Sequence, residues 1–213
     1  NEKIEQIYNA QNNFMKNLSY DIRTPCTGII GIIKKIRQNE INKERKKQLG
    51  YIQESAEKLL RFFNDVFAVI DIEQGDTAEL EVNVDVRLLL EDVVDLYMPR
   101  IKEKELEYQV NIAAKLPKEI LIQNQKLYRI LMNLMSNAIK FTNQGHVALS
   151  LNLEKTPQGN HLKIDVEDTG IGIAKSDREK IFKRFARLTS AYEGKYEGSG
   201  VGLYLTEQLI HSL

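Results

Sequence analysis

The sequence predicts an α+β chain in two parts. Residues 1–74 form an antiparallel helical hairpin that pairs with a second copy as a dimeric four-helix bundle, and residues 78–213 form an α/β sandwich domain. Three observations predict this. The first part spaces its apolar residues in alternating steps of three and four. The second switches between steps of two and helical spacing, without a regular βαβ repeat. Between them, Glu73-Gln74-Gly75-Asp76-Thr77 breaks both patterns. Hydrophobic content of 42% is enough for a core, and 28% charge is not a disordered composition. Thirty basic and thirty acidic residues cancel, so neither nucleic acid nor a membrane surface is an expected partner of this segment.

On the first helix, Ile4, Ile7, Phe14 and Leu18 make one seam, interrupted by Gln11, and Ile22, Pro25, Ile29, Ile32 and Ile36 make another. Two successive steps of four, from Phe14 through Leu18 to Ile22, are a stutter that locally unwinds a supercoil. Pro25 is expected to kink the helix a turn later. Asn39 to Asn42 is short and polar, suited to a hairpin turn. The second helix carries Leu49, Ile52, Ala56, Leu59, Phe63, Val66 and Ile70 at a/d spacing. A hairpin cannot bury both seams alone. A homodimer buries them; the alternative, packing on its own second domain, covers less than their length.

The single cysteine, Cys26, cannot form an internal disulfide, which fits a reducing cytosol. It reads as a small packing residue rather than a reactive thiol. No apolar run approaches the ~20 residues needed to span a bilayer, and Asn1 does not open a signal peptide. A cytoplasmic location is expected, with any membrane-anchored sensing part lying outside these residues.

In the second part, Leu80, Val82, Val84 and Val86 alternate as a half-buried strand, and Leu88 to Lys104 reads as an amphipathic helix disturbed near its end by Pro99. Tyr108, Val110 and Ile112 alternate again. Lys126 to Phe141 reads as a helix, His146–Leu153 and Leu162–Asp168 as strands, and Asp177–Phe185 and Val201–Ile210 as further helices.

Three stretches carry chemistry. On the Lys126–Phe141 helix, Asn133, Asn137, Lys140 and Phe141 fall on one stripe, while Ile130, Leu131, Leu134, Met135 and Ala138 face the other way. Amide oxygens suit a hard cation such as Mg²⁺, and lysine suits phosphate. A solvated helix face is the alternative for this stripe taken alone. Asp168-Thr169-Gly170-Ile171-Gly172 ends a strand in which Leu162, Ile164, Val166 and Asp168 share parity, so the carboxylate continues an apolar face and needs a donor. An exocyclic amine of a base would serve; a simple turn cap is the alternative. Gly198-Ser199-Gly200-Val201-Gly202 opens the last helix, where successive amides make an anion site, or else only a flexible turn. The polar Arg187–Glu197 stretch before it reads as a lid.

In this order and spacing, the three stretches resemble the N-box and glycine boxes of the GHKL ATPase superfamily, in its histidine-kinase branch. Ile181-Phe182-Lys183-Arg184-Phe185 resembles that branch's F-box. FMKNLSYDIRTP, ending at Pro25, resembles the H-box of sensor histidine kinases. The resemblance covers essentially the whole chain. It implies a dimerisation and phosphoacceptor hairpin followed by an ATP-binding catalytic domain, with a response-regulator receiver domain as partner. It assigns Mg²⁺ and phosphate to Asn133 and Asn137, phosphate to Lys140, the nucleotide pocket to Phe141, and adenine to Asp168. Gly170, Gly172, Gly198, Gly200 and Gly202 would shape pocket and lid, and Arg184 or Arg187 would assist at the γ-phosphate.

The departures from the family matter as much. Tyr20 stands where the H-box has its phosphoacceptor histidine. Leu18 and Ile22 lie on the seam, so position 20 points outward as an acceptor must. A phenol with a pKa near ~10 replaces an imidazole near ~6.5, so phosphohistidine cannot form there. Asp21 and Thr24 match the acid and threonine that support autophosphorylation and regulator dephosphorylation in the family, or are an ordinary exposed pair. The expectation is a kinase core deficient in autophosphorylation, with a nucleotide-binding scaffold or a regulator phosphatase as alternatives. The family continues past the last helix with another glycine-rich turn and strands, so the domain is expected to be truncated after Leu213. Asn124 stands where the family often starts the N-box helix with Asp, and is expected to cap it.

Overall fold

The computed structural model describes residues 2–73, 79–157, 159–186 and 200–213, with side chains from Phe14 onward apart from Lys16 and Glu73. The seam positions Ile4, Ile7 and Gln11 lie outside the described side chains. The chain divides into two compact units, Asn1–Thr77 and Ala78–Leu213.

The first unit is two helices, α1 (Glu2–Asn39) and α2 (Lys43–Glu73). They run antiparallel, because Arg37 bonds Gln53 at 3.1 Å, Lys34 meets Glu57 at 3.6 Å and Arg23 bonds Asn64 at 3.2 Å. The turn is made by Asn42, whose Oδ1 accepts from the Glu44 and Arg45 amides at 3.0 and 3.1 Å. That is an N-cap, satisfying two of the amides that α2 would otherwise leave open. α1 continues unbroken through Pro25. The missing Pro25 N–H removes one helical bond, and Thr27 Oγ1 donates to Arg23 O at 2.8 Å nearby.

α1 is apolar on two stripes rather than one. Ile30 and Ile33 are buried, and they share a face with Lys34 and Arg37, which bond α2. Ile29, Ile32 and Ile36, the seam read from the sequence, are 51%, 62% and 49% exposed in the single chain.

The second unit builds its main sheet in the order β2-β4-β5. β2 (Glu107–Ile112) runs parallel to β4 (His146–Thr156), which runs antiparallel to β5 (Gly159–Asp168). β1 (Val82–Val84) pairs antiparallel with β3 (Ile120–Ile122) as a separate ribbon. The strand expected from Leu80 to Val86 is thus only its middle. Val86 instead opens α3 (Val86–Glu103), because the Asp85 carboxylate accepts from the Arg87 and Leu88 amides and starts the helix there. α4 spans Asn124–Phe141 and α5 spans Gly202–His211. The helix expected over Asp177–Phe185 is not formed. Two 3₁₀ turns, Lys175–Asp177 and Lys180–Phe182, stand in its place, and Phe185 has φ +58°. One-turn segments satisfy their own few bonds without presenting a continuous apolar face.

The core lies between α3, α4 and the main sheet. Val147, Leu149 and Leu151 point inward from β4, with Leu90 and Val93 of α3 and Leu131 and Met135 of α4, all almost fully buried. Truncating Leu131 or Met135 to Ala should cost about 2–5 kcal/mol.

α3 ends in a left-handed turn. Glu105 has φ +54°, Leu106 N donates to Ile101 O at 3.0 Å and Glu105 N donates to Lys102 O at 3.1 Å. These are the paired bonds of a Schellman cap, with buried Leu106 and Ile101 as its apolar contact.

Candidate nucleotide site and phosphoacceptor position

α4 presents its two faces as its sequence demands. Ile130, Leu131, Met135 and Ala138 are buried, while Asn133, Asn137, Lys140 and Phe141 are half-buried on the opposite stripe. The N-terminus of α4 corrects the expectation for Asn124. The cap position is Gln123, which makes no side-chain cap bond, and Asn124 Oδ1 is buried without a partner. Glu79 caps the helix instead. Its carboxylate accepts from the Gln125 and Lys126 amides at 2.6 and 3.2 Å, and Gln123 Nε2 donates to Glu79 O at 2.9 Å. A carboxylate at a helix N-terminus is also favoured by the macrodipole.

Asn133 reaches α5. Its Nδ2 donates to the buried Thr206 Oγ1 at 2.7 Å. Gly202, the first residue of α5, lies so close that a Cβ there would overlap Asn133 Oδ1, so any larger residue would displace the Asn133 carboxamide. Lys126, although 5% exposed, donates from Nζ to Ser212 O at 3.1 Å, at the far end of α5. The glycine-led helix is therefore held to α4 near both of its ends.

The last turn of α4 meets the Asp168 turn. Gly170 is pressed against Phe141 O, 2.5 Å from where a Cβ would stand, and Ile171 N donates to that carbonyl at 3.3 Å. Asp168 differs from its expected setting. Leu162, Ile164 and Val166 are half-buried as their parity requires, but Asp168 is exposed and its Oδ1 accepts from the Gly170 amide at 2.9 Å. Asp168 still pairs with the buried Val147 of β4, but its carboxylate is open to solvent and the turn amide supplies a donor. Thr169 ties this turn to β4: His146 N donates to Thr169 Oγ1 at 2.9 Å and Thr169 N to His146 O at 3.2 Å. Lys140 Nζ lies 4.5 Å from the centroid of the Phe141 ring. Arg184 stacks its guanidinium 5.1 Å from the Tyr204 ring of α5. Gly172 and Gly200 have φ of +68° and +70°.

Asn133, Lys140 with Phe141, Asp168, Gly170, Gly202 and Arg184 thus all sit on or beside α4 and α5. Arg187, Gly198 and the stretch read as a lid lie outside the described residues. Sequence reasoning missed Thr206, Glu79 and Lys104, whose Nζ donates to three carbonyls at the end of α4. Thr206 had one weak signal, standing four residues after Gly202. Glu79 and Lys104 had none, because their partners are distant in sequence. Among the described residues, no group of three His, Cys, Asp or Glu side chains is placed to hold a metal.

On the hairpin, Tyr20 is 73% exposed and Asp21 and Thr24 are exposed beside it, while Leu18 and Ile22 are half-buried. Position 20 faces outward.

The His Kinase A (phospho-acceptor) domain model matches residues 10–75. The histidine kinase-, DNA gyrase B- and HSP90-like ATPase model matches residues 122–213. The chain belongs to the histidine kinase family. Among relatives, the autoinducer 2 sensor kinase/phosphatase LuxQ of Vibrio vulnificus (strain CMCP6) is 33% identical over 211 residues, covering 98% of this chain and 25% of LuxQ. The signal transduction histidine-protein kinase BarA of Escherichia coli K12 is 28% identical over 215 residues, covering 100% of this chain and 23% of BarA. This histidine kinase chain therefore spans about a quarter of the length of the curated relatives it matches. Full-length ShkA, solved in complex with AMPPNP, matches with a TM-score of 0.73 and 29% identity over 94% of this chain and 41% of that one. The Acinetobacter baumannii histidine kinase AdeS shares the fold, with a TM-score of 0.61 and 20% identity over 91% and 87% of the two chains. No helix among the described residues is long and apolar enough to cross a membrane.

Proposed function

We propose that this chain is an ATP-binding histidine kinase core that binds ATP with Mg²⁺ but does not phosphorylate itself at position 20. The observation that carries the reading is that the Asp168 turn and the start of α5 each pack against α4, Gly170 at Phe141 and Gly202 at Asn133, on the helix that also carries Lys140. The donor set fits the nucleotide. With Asn133 Nδ2 given to Thr206, its Oδ1 is the acceptor left for a cation, and Asn137 lies one turn on. Lys140 supplies point charge for phosphate, Phe141 a pocket wall, and Asp168 an acceptor for adenine. Arg184, one face against Tyr204, would assist at the γ-phosphate. Gly172, Gly198 and Gly200 take the lid and pocket roles that the family resemblance gives them, and Arg187 is the alternative to Arg184 at the γ-phosphate. Bound Mg²⁺ would neutralise phosphate charge during transfer.

The exposed Ile29, Ile32 and Ile36 stripe supports a homodimer, since a second copy would cover it as a four-helix bundle. The outward Tyr20, Asp21 and Thr24 surface would meet a receiver domain of a response regulator. We place this segment in the cytosol, with the hairpin over residues 1–74 and the ATP-binding domain over residues 78–213.

Incubation with γ-labelled ATP and Mg²⁺ tests the reading. The chain is expected to bind a fluorescent ATP analogue and retain no label, while Tyr20→His acquires acid-labile label. Label on the unaltered chain contradicts the assignment of Tyr20. Failure of both proteins to bind the analogue contradicts the ATP site. The exposure of Asp21 and Thr24 favours a second reading, dephosphorylation of a phosphorylated receiver. On that reading Thr24→Ala abolishes phosphate release and Tyr20→His is not required for it.

A further inference from the structure

The last turn of α4 has its carbonyls answered, and one side chain answers three of them. Lys104 Nζ donates to Ile139 O at 2.6 Å, Thr142 O at 2.9 Å and Lys140 O at 3.1 Å. Phe141 O accepts from Ile171 N, and Ala138 O accepts from both the amide and the hydroxyl of Thr142. A helix ordinarily leaves its last four carbonyls without intrahelical partners. An ammonium has three hydrogens, and here each has a carbonyl. Its charge also stands at the negative pole of the helix.

Lys104 reaches this position because it is the cap residue of the Schellman turn that ends α3. Its backbone is fixed by that turn, so its stem crosses to α4 from a rigid base. The turn of α4 that it holds carries Lys140 and Phe141, and the Asp168–Gly170 turn leans on the Phe141 carbonyl.

We propose that Lys104 is a positioning residue for the nucleotide. It holds Lys140 and Phe141 in register with the Asp168–Gly170 turn and so sets nucleotide affinity without touching the ligand. This rests on the nucleotide-binding reading above. A compact ammonium on a flexible stem converges on these three carbonyls from one atom; the larger planar fork of a guanidinium spreads its donors and cannot reproduce that point. Lys104→Arg therefore keeps the charge and loses the geometry.

The test compares Lys104→Met, Lys104→Arg and a core control, Leu151→Ala, in the full chain. Binding of a fluorescent ATP analogue with Mg²⁺ is titrated well below each variant's unfolding temperature, and amide exchange at Thr142 and Ile171 is followed. Lys104→Met is expected to weaken binding by about tenfold and to speed exchange at Ile171, with Lys104→Arg failing to restore either. Leu151→Ala should lower the unfolding temperature yet keep affinity within about twofold. Lys104→Arg carries the same comparison if Lys104→Met does not fold. The proposal is overturned if both Lys104 variants bind like the unaltered chain, or if Leu151→Ala loses as much affinity as they do. If the unaltered chain binds no analogue, the nucleotide reading fails and takes this role with it. Binding by the unaltered chain and by both variants alike removes Lys104's role alone.

Discussion

Asn133 of α4 and Thr206 of α5 share a hydrogen bond of 2.7 Å, with the amide nitrogen donating to the hydroxyl. The bond orients the carboxamide and ties the helix that starts at Gly202 to the helix that carries the polar stripe. Thr206→Val keeps the volume of this buried position and removes the acceptor. A part-buried donor left unpaired costs about 1–3 kcal/mol. Thermal unfolding should move down accordingly, and titration with an ATP analogue should show weaker binding. Unchanged affinity would mean that the orientation of Asn133 does not matter to the ligand.

Glu79 caps α4 from a segment more than forty residues earlier in the chain. Glu79→Ala leaves the Gln125 and Lys126 amides without their acceptor, and should cost about 1 kcal/mol. Glu79→Gln retains an acceptor but not the charge and should recover part of this. Denaturant unfolding of the three proteins measures the series, and equal midpoints would refute the cap.

Glu105 occupies a left-handed position at φ +54° that glycine adopts without strain. Glu105→Gly should raise stability by about 1 kcal/mol, read as an upward shift of the unfolding temperature. A downward shift would show that the Glu105 side chain makes a contribution larger than its backbone strain.

Tyr108 is half-buried and its hydroxyl is unpartnered, and burial pushes its pKa up to about 12. The unfolded chain ionises this phenol near ~10. The contribution is therefore fully present below about pH 10, falls as pH rises above it, and is lost through the folded value of about 12. Tyr108→Phe should flatten this alkaline loss and be neutral or stabilising at pH 7, since it removes a buried unsatisfied hydroxyl. Urea midpoints of both proteins across the alkaline range decide it.

Ile32 is 62% exposed on the outer stripe of α1. Ile32→Lys should raise the dimer dissociation constant by about tenfold or more, because the charge enters an apolar seam in both copies. Sedimentation at several concentrations measures this, and circular dichroism should show helix content retained. A dimer of unchanged affinity would move the interface off this stripe.

Much of the arrangement along α4 is legible in the sequence. Asn133, Asn137, Lys140 and Phe141 are one helix, and 3.6-residue periodicity alone places them on one stripe. Gly170 and Gly202 read as shaping a pocket and lid, and the structure sets them against the Phe141 carbonyl and Asn133, contacts that spacing does not record. Asp168 shows the limit of parity. Alternation along β5 predicts burial through Asp168, but burial stops at Val166: Asp168 is exposed and its carboxylate turns to a local amide. Asp177–Phe185 shows the limit of composition: apolar residues at plausible spacing formed two short 3₁₀ turns.

By itself, the sequence determined the local periodicities, the break between the two parts, the polar stripe of α4 and the tyrosine at position 20. These are properties of neighbouring residues and need no fold to read. Only the tertiary structure decided what closes the ends of the helices: Glu79 at the start of α4, Lys104 at its end and Lys126 at the end of α5. The reason is physical. A helix end demands donors or acceptors whatever its sequence, and any side chain that the fold brings within reach can supply them. Spacing along the chain records the demand, and only packing selects the residue that meets it.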